Sequence, residues 1–375
     1  MIRTLKKSLL TLIILTAMLP VFSIGDRACG ESLMFRGNTA QTGKYEGSSS
    51  PEDGEILWTF DAGNAISGSP SYSGGSVYFG DSMGILYCLS AEKGQLRWKY
   101  DTGNSIYGVP AVKDGKVYIG NTGGSMLCLD ALSGKPVWQF SAGTETAPGA
   151  IYSSPALWEG YVYFTSADGN LYALESDTGK KIWTFDTGRE IRCSPIVHEG
   201  LVYFGDHTWK FHALDLRTGR KVWGGGAGGP IDASPSIGGG KIFFGGWDGT
   251  LYATRIKGVI PSWRFDTGGE ITTSAAYDGN RIFVGNIRGD LVSVEANTGS
   301  ELWRFSSEGS IDSSPAVGDN EIFLGSSNGR MYALDKTSGR ELWNISTGRE
   351  IVSSPIIASG KLFFGSMDGR FYAIR

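Results

Sequence analysis

Three histidines fall within one short stretch of the 375-residue chain: His198, His207 and His212. Histidines that converge in space bind zinc or shuttle protons. Here the spacing is unlike that of a zinc site. His212 stands where neighbouring stretches have tyrosine ("FHAL" beside "LYAL"), and His198 sits at a turn that the pattern below places on the opposite rim from His207. They read as substitutions within a repeat, with no metal ligated. The run "GGGAGG" (224–229) formally matches the dinucleotide fingerprint G-x-G-x-x-G. That fingerprint needs a strand before it and a helix after it. The segment that follows, "IDASPSI", reads as a strand, so the run is expected to be a loop between sheets. No catalytic triad, phosphate loop or paired-carboxylate arrangement stands out, and no catalytic residue is assigned.

A mixed set of charged and aromatic residues remains: Arg189, Arg192, His207, Trp209, Asp232, Trp247, Arg288 and Arg349, with Tyr107, Tyr152, Glu190 and Asp312 nearby in the pattern. Aromatic anchors mixed with charges suit binding of a peptide, a glycan or another polar ligand. Such a set matters only if the fold gathers it on one surface.

The repeats provide that surface. Trp58, Trp98, Trp138, Trp183, Trp223, Trp263, Trp303 and Trp343 are spaced by 40 residues, apart from one interval of 45 that holds the extra residues of "GTETAPGAIY" (143–152). Within one period, "IRCSPIV", "LVYFG", "FHAL" and "RKVW" alternate with glycine-bearing turns and read as four short antiparallel strands. Such a sheet must bury both faces against neighbours, and a period near 40 with four strands predicts an all-β propeller. Eight tryptophans predict eight blades. A small residue, a glycine six positions later and a tryptophan four beyond that recur, as in Ala173, Gly179 and Trp183. The glycine permits a tight turn and the indole wedges between sheets. The fifth repeat departs, with Val259 in the glycine position. The last repeat ends at "FYAIR" without its outer strand, and "EILWTF" (55–60) is expected to supply it, which removes an open edge. On this lattice the charged and aromatic set lies on one rim, formed by the links between blades and the turns between second and third strands.

The N-terminus reads as an export signal over 1–25, with Arg3, Lys6 and Lys7 ahead of an apolar run. A lead-in over 31–54 and the propeller over 55–375 follow. Cleavage could fall as late as residue 30, and a lipidated Cys29 would tether the chain to a membrane, although Asp26 and Arg27 are poor neighbours for that modification. The segment after residue 25 holds 31 basic and 38 acidic residues, a net charge of −7 with no basic stripe, which argues against a nucleic-acid partner. Cys88, Cys128 and Cys193 occupy small-residue positions and are expected to be buried and unpaired. A periplasmic, cell-surface or secreted monomer is expected, with an envelope or extracellular protein, a peptide or a glycan as partner.

The phrase Ala213, Asp215, Thr218, Gly219, Trp223 resembles the tryptophan-docking motif of PQQ-type β-propeller repeats, and the resemblance covers nearly all of 55–375. "FRGNTAQTG" (35–43) resembles the segment that often precedes the first blade in such proteins. The resemblance implies one of two roles. A BamB-like propeller would be a non-catalytic scaffold in envelope protein assembly, without a cofactor. A quinoprotein-like propeller would hold pyrroloquinoline quinone and calcium above the central channel as an oxidoreductase. The latter proteins are much longer, and the alcohol-oxidising ones carry adjacent cysteines that this chain lacks, so the scaffold is the leading expectation.

Overall fold

The computed structural model describes residues 35–45, 51, 53–144, 146–147, 149–258 and 260–375. The export signal, Cys29 and Val259 lie outside them. The described residues form eight four-stranded antiparallel sheets. Blade four is typical: Ile196–His198 innermost, then Leu201–Gly205, Lys210–Asp215 and Lys221–Gly226 at the outer edge. The second and third strands of each blade are almost wholly buried, while the outer strand alternates between exposed and half-buried positions. A sheet covered on both faces by neighbours reads as a continuous apolar run at its centre and as an alternating pattern only at its rim.

Two expected strand assignments change. "IRCSPIV" is not one strand. Only Ile196–His198 of blade four pairs with the second strand, and the residues before them are extended without a ladder. Their backbone bonds run between blades instead. Ser154 N–H donates to Ser194 Oγ (2.9 Å), Ser194 N–H to Ser234 Oγ (2.8 Å), and Ser354 N–H to Ser69 Oγ (2.8 Å). Each Ser-Pro serine thus accepts a bond from the preceding blade, and together they belt the inner wall. "GGGAGG" is not wholly a loop either: Gly224, Gly225 and Gly226 belong to the outer strand of blade four, paired with His212, Phe211 and Lys210.

The seams explain the docking phrase. Trp183 pairs across the strands with Ala173, and its indole lies on Gly219 of the next blade, where an added Cβ would stand 2.6 Å from the ring. Gly219 has φ of 68°, in the left-handed region, so this turn needs glycine both for its backbone and for the approach of the ring. The indole Nε1 donates to Leu216 O at 3.2 Å. The same bond recurs from Trp98, Trp138, Trp263 and Trp303. Among the described residues two lattice indoles have no partner for Nε1: Trp58, in the closing strand, and Trp223, which faces the irregular fifth repeat. Cys88, Cys128 and Cys193 are buried and free, and burial pushes the Cys193 thiol up to about 12, so it is an inert packing group.

The ring closes as expected. Ile56–Asp61 pairs antiparallel with Arg370–Ile374, placing Trp58 opposite Ala373 and Phe60 opposite Phe371. The lead-in adds a feature that periodicity does not show. Ile237, Tyr277 and Val317, on the inner strands of blades five to seven, donate their N–H groups to the carbonyls of Ala40, Thr42 and Gly43 at 2.8–2.9 Å. Gln41 Nε2 donates to Pro195 O at 2.9 Å. The segment therefore satisfies donors on the inward edges of these strands at the end of the channel away from the charged rim. Asp278 anchors it, bridging Lys44 (3.0 Å) and Lys336 (2.9 Å).

Candidate functional site

The channel mouth is built by one repeated device. Each blade begins with a fully buried isoleucine; Ile231 is an example. Its N–H donates to Asp206 O of the preceding blade (3.2 Å), and its side chain fills the space beside Gly205, where an added Cβ would sit 2.3 Å from it. The residue after the isoleucine is thereby held at the mouth. Around the ring these positions include Tyr107, Tyr152, Arg192, Asp232, Thr272 and Asp312. The turn between second and third strands lies beside them, because His207 N–H donates to Glu190 O and Trp247 N–H to Pro230 O.

Over blades two to five the side chains join into one network. Tyr107 packs edge-on to Tyr152, with ring centroids 5.6 Å apart. The Arg192 guanidinium lies 5.2 Å from the centre of the Tyr152 ring. Arg192 Nε donates to Glu190 Oε1 at 2.7 Å, and the other Glu190 oxygen is 4.0 Å from His207 Nδ1. His207 Nε2 lies 2.5 Å from Asp232 Oδ1, and Trp247 Nε1 donates to Asp232 Oδ2 at 3.1 Å. The His207 and Trp247 rings meet edge to face at 5.6 Å. Further round, Asp312 accepts bonds from Thr272 (3.2 Å) and Ser310 (2.6 Å). Such a network fixes its side chains before any ligand arrives, which lowers the entropy lost on binding.

Four of the eight candidate residues, Arg192, His207, Asp232 and Trp247, are in direct contact within this network. Arg189 and Arg288 are exposed on the same rim without joining it, and Arg349 instead pairs with its neighbour Glu350 at 3.3 Å. Trp209 stands apart and exposed. The three histidines go to three different places: His198 lies 3.8 Å from Glu199 at the far rim, and His212 bonds Asp206 at 2.7 Å while stacking on Phe204. In that position it does what Tyr252 does on Asp248 and Phe244. Sequence reasoning missed the serine belt, although the recurring Ser-Pro pairs were its visible signal.

The Asp232 hydrogen bond, aided by the charges of Asp232 and Glu190, raises the His207 pKa; partial burial and Arg192 oppose the shift. A histidine whose folded pKa lies above its unfolded value near 6.5 stabilises the fold fully below 6.5, and that contribution is lost as pH rises through the folded pKa. Asp232→Asn should therefore bring the His207 pKa down toward 6.5. A histidine-ring NMR titration of wild type and variant checks this; equal midpoints would show that Asp232 does not hold the imidazolium.

A family model described as outer membrane protein assembly factor BamB matches residues 47–184, 149–260 and 260–375. Against curated protein sequences the chain has no match. Among solved structures, BamB from Moraxella catarrhalis superposes with a TM-score of 0.73 at 18% identity, over 85% of this chain and 97% of that one. A europium-containing methanol dehydrogenase superposes with a TM-score of 0.81 at 14% identity, over 93% and 98%. Quinohemoprotein alcohol dehydrogenase from Comamonas testosteroni gives 0.78 at 13% identity, over 92% of this chain and 80% of that one. At such identities these likenesses establish the eight-bladed architecture, which assembly factors and dehydrogenases share. The family follows from the match to successive stretches that together run from residue 47 to the C-terminus: the chain belongs to the PQQ_2 family, the family described as outer membrane protein assembly factor BamB.

Proposed function

We propose that this protein is an exported, non-catalytic scaffold of outer-membrane protein assembly that holds a protein partner across its channel mouth. One observation carries the reading: a regular packing lattice bears, on one rim, a continuous aromatic and charged network from Tyr107 to Trp247 whose side chains already hold one another. Prearranged aromatic and arginine groups are the usual hot spots of protein interfaces. The signal-like N-terminus and the family description support export and envelope assembly.

A quinone and calcium centre at the same mouth would need carboxylates free to hold the metal. Both oxygens of Asp232 are bonded by His207 and Trp247, both of Asp312 by Thr272 and Ser310, and Glu190 holds Arg192. Among the described residues no three histidine, cysteine or acidic side chains are grouped as metal ligands. With these oxygens engaged by protein groups, the network favours the scaffold over such a centre.

Photo-crosslinking in intact cells tests the scaffold. A photoreactive residue replacing Tyr107 should give an adduct with a subunit of the outer-membrane assembly machinery, identified by mass spectrometry. The same group replacing Leu96 on the outer edge should not. Equal labelling from both positions, or none from either, would remove the mouth as the partner site.

A further inference from the structure

The turn between second and third strands ends on glycine in seven blades: Gly84, Gly124, Gly169, Gly249, Gly289, Gly329 and Gly369, with φ between 75° and 91°. In blade four the same position is Trp209, with φ of 67°. A bulky side chain in the left-handed region is a genuine outlier, and such strain persists where function holds it. Packing does not explain the residue. Trp209 is 53% exposed, and its side chain makes no ring contact or hydrogen bond among the described residues.

Its surroundings are poor in side chains, apart from Lys221, whose Cε and Nζ lie over Gly224. The outer strand beside it ends Gly224-Gly225-Gly226 where blade three carries Thr184-Phe185-Asp186, and Lys210, the residue after Trp209, pairs with Gly226. Phe185 covers Phe204 and His212 of the next blade, whereas Gly225 brings no ring to that seam. A protruding indole beside side-chain-free backbone lets another main chain approach closely.

We infer that Trp209 is a dedicated anchor for a protein partner, inserted into an apolar cleft of that partner while the partner's backbone lies along Gly225 and Gly226. The inference rests on the scaffold reading and names the residue that selects the partner.

Stability and binding should move in opposite directions in Trp209→Gly, and that separates an anchor from a structural residue. With the full-length chain carrying the photoreactive group at Tyr107, mixed with detergent-solubilised outer membranes of the source cells, Trp209→Gly should raise Tm by about 1–3 °C and reduce the adduct roughly tenfold or more. Trp209→Ala keeps the strain without the ring, so it should lose the adduct with no gain in Tm. Trp209→Phe should retain most of the adduct. If Trp209→Gly lowers Tm, or leaves the adduct intact, the anchor is wrong while the scaffold stands. If the unsubstituted chain gives no adduct, the scaffold reading itself fails and takes the anchor with it. A Trp209-dependent thermal shift with chitotetraose in place of an adduct would overturn the protein assignment in favour of a glycan.

Discussion

Trp183→Ala should lower the unfolding free energy by about 3 kcal/mol, at the low end for removal of a large aromatic because one edge of the indole is open to water. The ring does three things at once. It packs on Gly219 of the next blade, it sits 5.9 Å from the Tyr163 ring of its own blade, and its N–H satisfies Leu216 O. Alanine leaves a void at the seam and strips the carbonyl of its donor. No neighbour can close the gap, because Gly219 has no side chain to extend. Trp223→Ala should be milder, by about 1 kcal/mol, the usual net worth of one hydrogen bond, because the Trp223 N–H has no partner to lose. Urea denaturation of both variants against wild type checks the order. Equal losses would mean that the seams draw their strength from ring burial alone.

The lattice that makes this comparison possible was legible because its signal is covalent and periodic. Trp183, Ala173 and Gly219 recur at fixed offsets, and each blade sees nearly the same neighbour, so one packing solution explains every seam except that of Trp223 with the irregular fifth repeat. Closure was legible for a related reason: Trp58 lacks a preceding strand and Ala373 lacks a following one. What stayed hidden lacks a period in side-chain type. Cys193-Ser194-Pro195 looks like strand by composition, yet its donors turn toward the adjoining blade, and hydropathy does not report hydrogen-bond direction. Gly224–Gly226 looks like loop because glycine rarely fills a strand, and only pairing with Phe211 and His212 reveals otherwise. The lead-in bonds Ala40 to Ile237 and Gly43 to Val317, contacts too distant in sequence for any local pattern. The rim shows both sides. That blades differ there is visible in the residue types, but not which side chains meet. Asp232 reaches back to His207 of the preceding blade, whereas Arg349 folds onto Glu350 beside it, and reach across a seam depends on rotamers that the sequence does not encode locally. Trp209 was visible as a tryptophan off the lattice; its strain needed a backbone angle.

Removing residues 1–61 should abolish the folded monomer. This truncation deletes the outer strand of the last blade together with Trp58, which lies on Gly94 of blade one. The strand Arg370–Ile374 would then present a full row of unpaired backbone groups, and Phe371 would lose its contact with Trp58. An open, apolar edge of this kind pairs with another copy of itself. The ring would also lose the link that joins its two ends, since Glu55 and Arg375 exchange backbone bonds at 2.9 and 3.1 Å, so separation of blades one and eight would no longer break a ladder. Size-exclusion chromatography with light scattering should show dimers and larger species at micromolar concentration. A truncation that removes only residues 1–53 loses the lead-in but keeps Ile56–Asp61, and it should stay monomeric with a lowered Tm. Adding a synthetic peptide of residues 53–61 in excess to the longer truncation should restore part of the monomer peak, because it refills the vacant strand by the same register that sets Trp58 opposite Ala373. A stable monomer from the 1–61 truncation would mean that the seven complete blades and the serine belt close the ring without the N-terminal strand.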